Sequence, residues 1–126
     1  VYKDFELEAE VLTQPGCNSG IYFHTVFQEQ GFPKKGFEVQ VNNTAAGEGT
    51  YRERKRTGSL YGMRNVYKQM AKDGEWFWIR VVVRGKNVQT WVNGVLTVDY
   101  TESTPVVLPP SQETERYLDK GTFALQ

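Results

Sequence analysis

Glu38-Val39-Gln40-Val41-Asn42 sets one carboxylate and two carboxamides at every second position, interleaved with apolar Phe37, Val39 and Val41. Consecutive side chains of a β-strand point to opposite faces, so Glu38, Gln40 and Asn42 share one face and the apolar three share the other. A row of carboxylate and amide groups is poor core material, because each needs a hydrogen-bond partner once buried. It suits a polyhydroxylated ligand such as a sugar: the carboxylate accepts from hydroxyls, and the amides both donate and accept. Within this row only Glu38 can also take and return a proton. A second alternating stretch, Asn18-Ser19-Gly20-Ile21-Tyr22-Phe23-His24, supplies an amide, a phenol and the only histidine of the chain.

Ordinary glycosidases flank the scissile bond with two carboxylates about 5–9.5 Å apart. Glu6, Glu8, Glu10, Glu75 and Asp99 are further acids, but no spacing singles one out as the partner of Glu38. Cys17 is the only cysteine, which rules out an intrachain disulfide and a cysteine-based zinc site. It is expected as a small residue in a turn. The basic run Arg52-Glu53-Arg54-Lys55-Arg56 lies between Gly-rich and Thr-Gly punctuation and reads as a solvated loop. Lys plus Arg and Asp plus Glu both number 15, and this balance argues against nucleic acid as the main partner. No apolar run approaches the roughly 18–20 residues that span a membrane.

Positioning these groups falls to strands. Phe5–Val11, Ile21–Phe27 and Phe37–Val41 alternate, with Pro15-Gly16 and Gly31-Phe32-Pro33 as turns between them. Ser59–Met63 is a shorter candidate. Trp76–Arg84 and Asn87–Val92 are joined at Gly85-Lys86, which pairs Val83 with Val88, Val81 with Thr90 and Ile79 with Val92 on one face. The other face sets Arg80 opposite Trp91 and Val82 opposite Gln89. Asn93-Gly94 is a hairpin turn into Val95–Tyr100, and Thr122–Gln126 ends the pattern. Thr104–Ser111, with three prolines counting Pro105, Pro109 and Pro110, reads as an irregular connection. Short helices are expected only at Gln112–Leu118 and Val66–Lys72.

This pattern predicts an all-β fold: a single β-sandwich domain over residues 1–126, built as a jelly roll of two antiparallel curved sheets. Phe5, Leu7, Ile21, Phe23, Phe37, Val39, Ile79, Val81 and Val92 face each other between the sheets. Tyr22, His24, Glu38, Gln40, Arg80, Gln89 and Trp91 have the parity to stand on outward faces, though periodicity does not say whether they share one sheet. The chain starts inside one strand pattern and stops inside another, so it reads as trimmed at both ends, and no export signal is visible.

Asn18-Ser19-Gly20-Ile21-Tyr22-Phe23, Gly36-Phe37-Glu38-Val39-Gln40, Leu60-Tyr61-Gly62, Gly74-Glu75-Trp76, Trp91-Val92-Asn93-Gly94 and Gly121-Thr122-Phe123-Ala124-Leu125-Gln126 follow one another in order. Together they resemble the 3-keto-disaccharide hydrolase family over nearly the whole chain. The resemblance implies a concanavalin-like (glucanase-like) jelly roll, bacterial export to the periplasm or cell surface, and cleavage of 3-keto-glycosides. Family members often carry Arg in place of His24 and Asp in place of Asn43. They usually continue past the Leu-Gln motif into a His-containing turn and a last strand.

A 3-keto group acidifies the neighbouring C–H, so one base can remove that proton and the glycosidic oxygen can leave; water adding back makes the net reaction a hydrolysis. The resemblance thus implies Glu38 as general base, with Gln40 and His24 orienting substrate or holding the enolate oxygen. A divalent metal is a possible alternative in that last role, with Glu38 and His24 as candidate ligands. Asn18, Tyr22, Tyr61, Lys68, Arg80, Trp91 and Gln126 complete the expected substrate contacts. For Arg80 and Trp91, opposite each other on the hairpin, a structural cation–π pair is favoured over sugar stacking. The same fold serves lectins, so a non-catalytic carbohydrate-binding module is the rival reading, and a cell-surface domain holding a protein partner is a third.

Overall fold

The computed structural model describes residues 1–45, 47–109 and 115–126, which form seven strands and no helix. In chain order they are β1 (Phe5–Val11), β2 (Ser19–Thr25), β3 (Phe37–Val41), β4 (Phe77–Arg84), β5 (Asn87–Val92), β6 (Val95–Thr101) and β7 (Thr122–Leu125). A four-stranded sheet has the order β1-β4-β5-β6, and a three-stranded sheet has the order β3-β2-β7. All pairings are antiparallel. No described helix is long and apolar enough to cross a membrane.

The apolar half of each alternating strand meets its counterpart between the sheets. Phe5, Ile21, Phe23, Phe37, Val39, Ile79, Val81 and Val92 are buried in one cluster, with Leu7 packed against it. Phe23 stacks on Phe37 at 5.5 Å between ring centres, and Phe5 meets Phe23 edge-on at 5.5 Å. Each such side chain taken from water stabilises the fold by about 1.5–3 kcal/mol. The β4–β5 hairpin has the register that alternation predicts, including Arg80 opposite Trp91 and Val82 opposite Gln89. At the next turn Asn93 (φ 48°) and Gly94 (φ 76°) both take positive φ, the geometry that gives a two-residue loop the twist of its strands.

Four expectations are corrected. β2 begins at Ser19 and ends at Thr25, so Asn18-Ser19-Gly20 runs into the strand, while Val26 and Phe27 are exposed. Val66–Lys72 is irregular and not helical. Of Gln112–Leu118, residues 112–114 lie outside the described residues, and 115–118 form turns and bends. Ser59–Met63 is not a strand, but Leu60 forms a single bridge to Val39. Gln40 N–H donates to Ser59 O at 3.0 Å and Tyr61 N–H to Glu38 O at 2.8 Å, so this segment covers the free edge of β3. The hydroxyls of Thr90 and Thr97 donate to Gly58 O at 3.0 and 2.8 Å, tying the same segment to the other sheet. All five residues of β3 are consequently buried. Residues 104–109 are irregular as expected, and Pro110 and Ser111 lie outside the described residues. Cys17 is a half-buried free thiol packed against the core.

Candidate active site

Tyr22 pairs with Glu38 across β2 and β3, and Gly20 pairs with Gln40. These two strands and the end of β7 form one wall of a cavity of about 510 Å³, through Asn18, Tyr22, Glu38, Gln40 and Gln126. Tyr51, Glu53 and Tyr61 from the long β3–β4 excursion form a second wall. Arg116, from the return between β6 and β7, closes a third side with Phe32, Pro33 and Lys34 near the rim.

Glu38 leans across its neighbour strand into the space a side chain on Gly20 would occupy. A Cβ there would overlap Glu38 Oε1 and lie 2.7 Å from its Cγ, so the glycine is what admits the carboxyl. Only 6% of Glu38 is exposed. Burial pushes its carboxyl up to about 7, against the opposing pull of the Tyr22 hydroxyl and the Arg116 charge; the Glu53 charge pushes it further up. Burial and the Glu38 charge in turn push the Tyr22 phenol above its ordinary range. One atom of the Gln40 amide faces Ser19 O at 2.9 Å and Glu38 Oε1 at 3.0 Å. Only a donor fits between two acceptors, so that atom is the nitrogen, and the amide oxygen faces the Asn18 carboxamide 3.1 Å away.

Glu53 is the opposite case. It is 2% exposed, yet its carboxylate is saturated with donors. Tyr61 Oη and Tyr51 Oη donate to Oε2 at 2.6 and 2.7 Å, Lys55 N–H donates to Oε1 at 3.0 Å, and Lys55 Nζ stands 3.6 Å from Oε1. Burial pushes this carboxyl up, but the two phenols, the amide and the ammonium outweigh it and hold it below the ordinary value. Asn42, the third member of the polar row and the residue just past β3, pins the segment by donating to Glu53 O at 2.8 Å and Lys55 O at 3.1 Å. The basic run is therefore not a plain solvated loop, since its one acid points inward.

Of the residues expected at the site, Asn18, Tyr22, Glu38, Gln40, Tyr61 and Gln126 line the cavity. His24 does not. It takes φ 56°, and the β2–β7 register shifts between Tyr22 and Thr25, so the alternation that would have turned it outward is broken there. Its ring is 1% exposed and lies against Phe5 and Phe23. Nδ1 accepts from Asp119 N–H at 3.3 Å, which leaves Nε2 to donate to Lys3 O at 2.8 Å. With both nitrogens taken by backbone, His24 and Glu38 form no common metal site. Among the described residues, no group of three or more His, Cys, Asp or Glu side chains converges on a point that could hold a metal.

Arg80 and Trp91 belong to the other sheet. The Arg80 guanidinium lies 4.8 Å from the centre of the Trp91 ring and pairs with Glu6 at 2.8 Å, which is the structural pairing favoured from the sequence. Lys68 is exposed and away from the cavity. Sequence reasoning missed Tyr51, Glu53 and Arg116. Tyr51 and Glu53 share strand parity at the edge of the basic run, a usable signal; nothing local marks Arg116.

Several solved structures share this fold, a sandwich of two antiparallel sheets. One, described as a "putative glycosyl hydrolase" from Parabacteroides distasonis, superposes with a TM-score of 0.73 at 20% identity, covering 98% of this chain and 68% of that one. Another of the same description and organism gives 0.74 at 21%, covering 99% and 64%. The chain thus spans about two thirds of the length of these proteins. No curated protein gives a significant match. The family described as the 3-keto-alpha-glucoside-1,2-lyase-like domain matches residues 1–126, and the chain belongs to it.

Proposed function

We propose that the cavity cleaves 3-keto-glycosides, with Glu38 as general base removing the proton from the carbon between the ketone and the anomeric centre. The observation that carries this reading is the Glu38 carboxyl itself: buried on the cavity wall, with its proton equilibrium moved to about 7. A base poised near neutral pH is half available to accept a proton, and once protonated it is acidic enough to return it to the departing oxygen. Family membership supports the keto-sugar substrate. The donors and acceptors on the walls, Asn18, Gln40, Tyr51 and Tyr61, suit a disaccharide.

The state of Glu53 bears on the competing two-carboxylate glycosidase. A glycosidase nucleophile, or a base for water, needs a free lone pair facing the sugar. Glu53 has both oxygens occupied by donors from its own loop and the neighbouring Tyr61. It fits better as the brace that fixes two phenols, which leaves one working carboxylate among the described residues of the cavity and favours elimination over direct displacement. The compartment we propose is the bacterial periplasm or cell surface, checked by fractionation.

The test is Glu38→Gln assayed on 3-keto and plain disaccharides. Turnover of the keto substrate should fall at least ~100-fold while ligand binding persists. Near-normal turnover would remove Glu38 from the chemistry. Binding without product release by the unaltered protein would turn the reading into that of a sugar-binding module.

A further inference from the structure

Abstraction of the proton leaves a negative charge on the ketone oxygen, and the cavity must supply a group for it. Most candidates are already engaged. The Gln40 nitrogen is taken by Ser19 O and Glu38, and the Tyr51 and Tyr61 hydroxyls by Glu53, while the Tyr22 hydroxyl is neutral and acts on the Glu38 carboxyl. His24 is sealed in the core. Lys34 is exposed at the rim.

Arg116 differs from all of these. Its Nη1 donates to Gly36 O at 2.9 Å, and Glu115 O accepts from Gly36 N–H at 3.3 Å, so the residue is clamped to the start of β3, two positions from Glu38. Gly36 itself is pressed against the end of β2: it has φ 96°, and a Cβ there would overlap Phe23 O and lie 2.9 Å from His24 O. The rest of the guanidinium has no protein partner among the described residues. Nε is buried with none, and no carboxylate lies within ion-pairing distance of the group among those residues. A cation on the wall of a cavity, near enough to Glu38 to pull on its carboxyl and without an ion-pair partner among the described residues, is arranged for an anion that arrives during the reaction.

We propose that Arg116 binds the enolate oxygen formed when Glu38 deprotonates the sugar; this rests on the 3-keto reading above. The Glu38 carboxylate takes the proton, and the C–H electron pair becomes the new C=C bond as the carbonyl π pair moves onto oxygen against the guanidinium. Collapse of the enolate restores the C=O, makes the double bond to the anomeric carbon and breaks its bond to the glycosidic oxygen. That oxygen takes the proton back from Glu38. An alcohol and an unsaturated keto sugar result, with no oxidant or reductant needed. Arg116 grips the charged oxygen harder than the neutral ketone, so its effect falls on turnover rather than on substrate binding.

The experiment compares Arg116→Gln, Arg116→Lys and Glu38→Gln on a 3-keto-α-glucoside disaccharide. It follows kcat, KM and deuterium wash-in from D2O at the carbon beside the ketone, with thermal melts as the folding control. Arg116→Gln should lower kcat by ~10²–10³ with KM within about threefold, and wash-in should fall in parallel. Arg116→Lys, which keeps the charge and loses the planar fork, should retain at least ~tenfold more activity than the Gln variant yet stay below the unaltered protein. If the Gln variant does not fold, unchanged kcat in the Lys variant overturns the inference. A rise in KM alone, or wash-in that persists while cleavage falls, also overturns it. Near-normal kcat in Arg116→Gln beside a dead Glu38→Gln removes Arg116 and leaves the base in place, whereas an active Glu38→Gln removes the reading beneath both.

Discussion

Replacing Glu38 by Gln should stabilise the protein above neutral pH while lowering the proposed turnover at least ~100-fold. The carboxyl moves from an ordinary 4.5 to about 7 on folding, chiefly through burial. Between those values the folded protein keeps a proton that the unfolded chain has released. Folded molecules then bind more protons than unfolded ones, so this group's contribution to stability declines as pH rises from about 4.5 to about 7 and is flat beyond. At about 1.36 kcal/mol per pH unit, the loss is on the order of 3 kcal/mol. The substituted amide carries no charge at any pH and still offers an oxygen to Tyr22, so the variant lacks this loss. His24 has the opposite dependence: burial lowers its imidazole, and its contribution is lost as pH falls below about 6.5. Both proteins share that term, so it cancels in the comparison. Urea unfolding at pH 5 and pH 8 should show Glu38→Gln gaining on the unaltered protein by about 2–3 kcal/mol between the two conditions. An unchanged difference between pH 5 and pH 8 would mean that the carboxylate is comfortable in place, and the case for a poised base would fail.

Glu53→Gln should cost about 1–3 kcal/mol in urea unfolding, because an amide nitrogen then confronts hydroxyl or amide donors that the carboxylate had satisfied. Turnover should fall only modestly as Tyr51 and Tyr61 lose their anchor; a ~10⁴-fold loss at unchanged stability would mark Glu53 as a reacting group and restore the two-carboxylate mechanism. Arg80→Ala, on the other sheet, should leave kcat and KM within about twofold and lower stability by about 0.5–1 kcal/mol through the lost contact with Trp91. A large change in KM would bring that face back into substrate binding.

The strands and the register of the β4–β5 hairpin were legible because β1, β3 and that hairpin alternate without interruption, and a two-residue loop fixes how its strands pair. Glu38, Gln40 and Tyr22 were legible for the same reason. His24 was misread because alternation stops at its positive φ, and one left-handed residue turns everything beyond it. Arg80 and Trp91 have the correct outward parity, but parity cannot say which of two sheets a strand joins. Glu53 and Arg116 lie in segments without period, where position is set by contacts to distant residues that a local pattern does not contain.

Those two segments show how an irregular chain can still present a fixed site. The loop carrying Tyr51 and Glu53 is held by the Asn42 amide on its carbonyls, and the segment carrying Tyr61 by backbone bonds to β3. The Arg116 return is held by its own bond to Gly36 and by Glu102, which accepts from Leu118 N–H at 2.7 Å and pairs with Lys86 at 2.7 Å. Every pin ends on a strand or beside one. Hydrogen bonds fix distance and direction where apolar packing tolerates sliding, so they suit walls that must place individual donors. They also explain the contrast between the carboxylates: Glu53 is surrounded by its pins and spends its charge on position. Glu38 is reached by fewer donors and keeps the raised proton affinity on which the proposed chemistry rests.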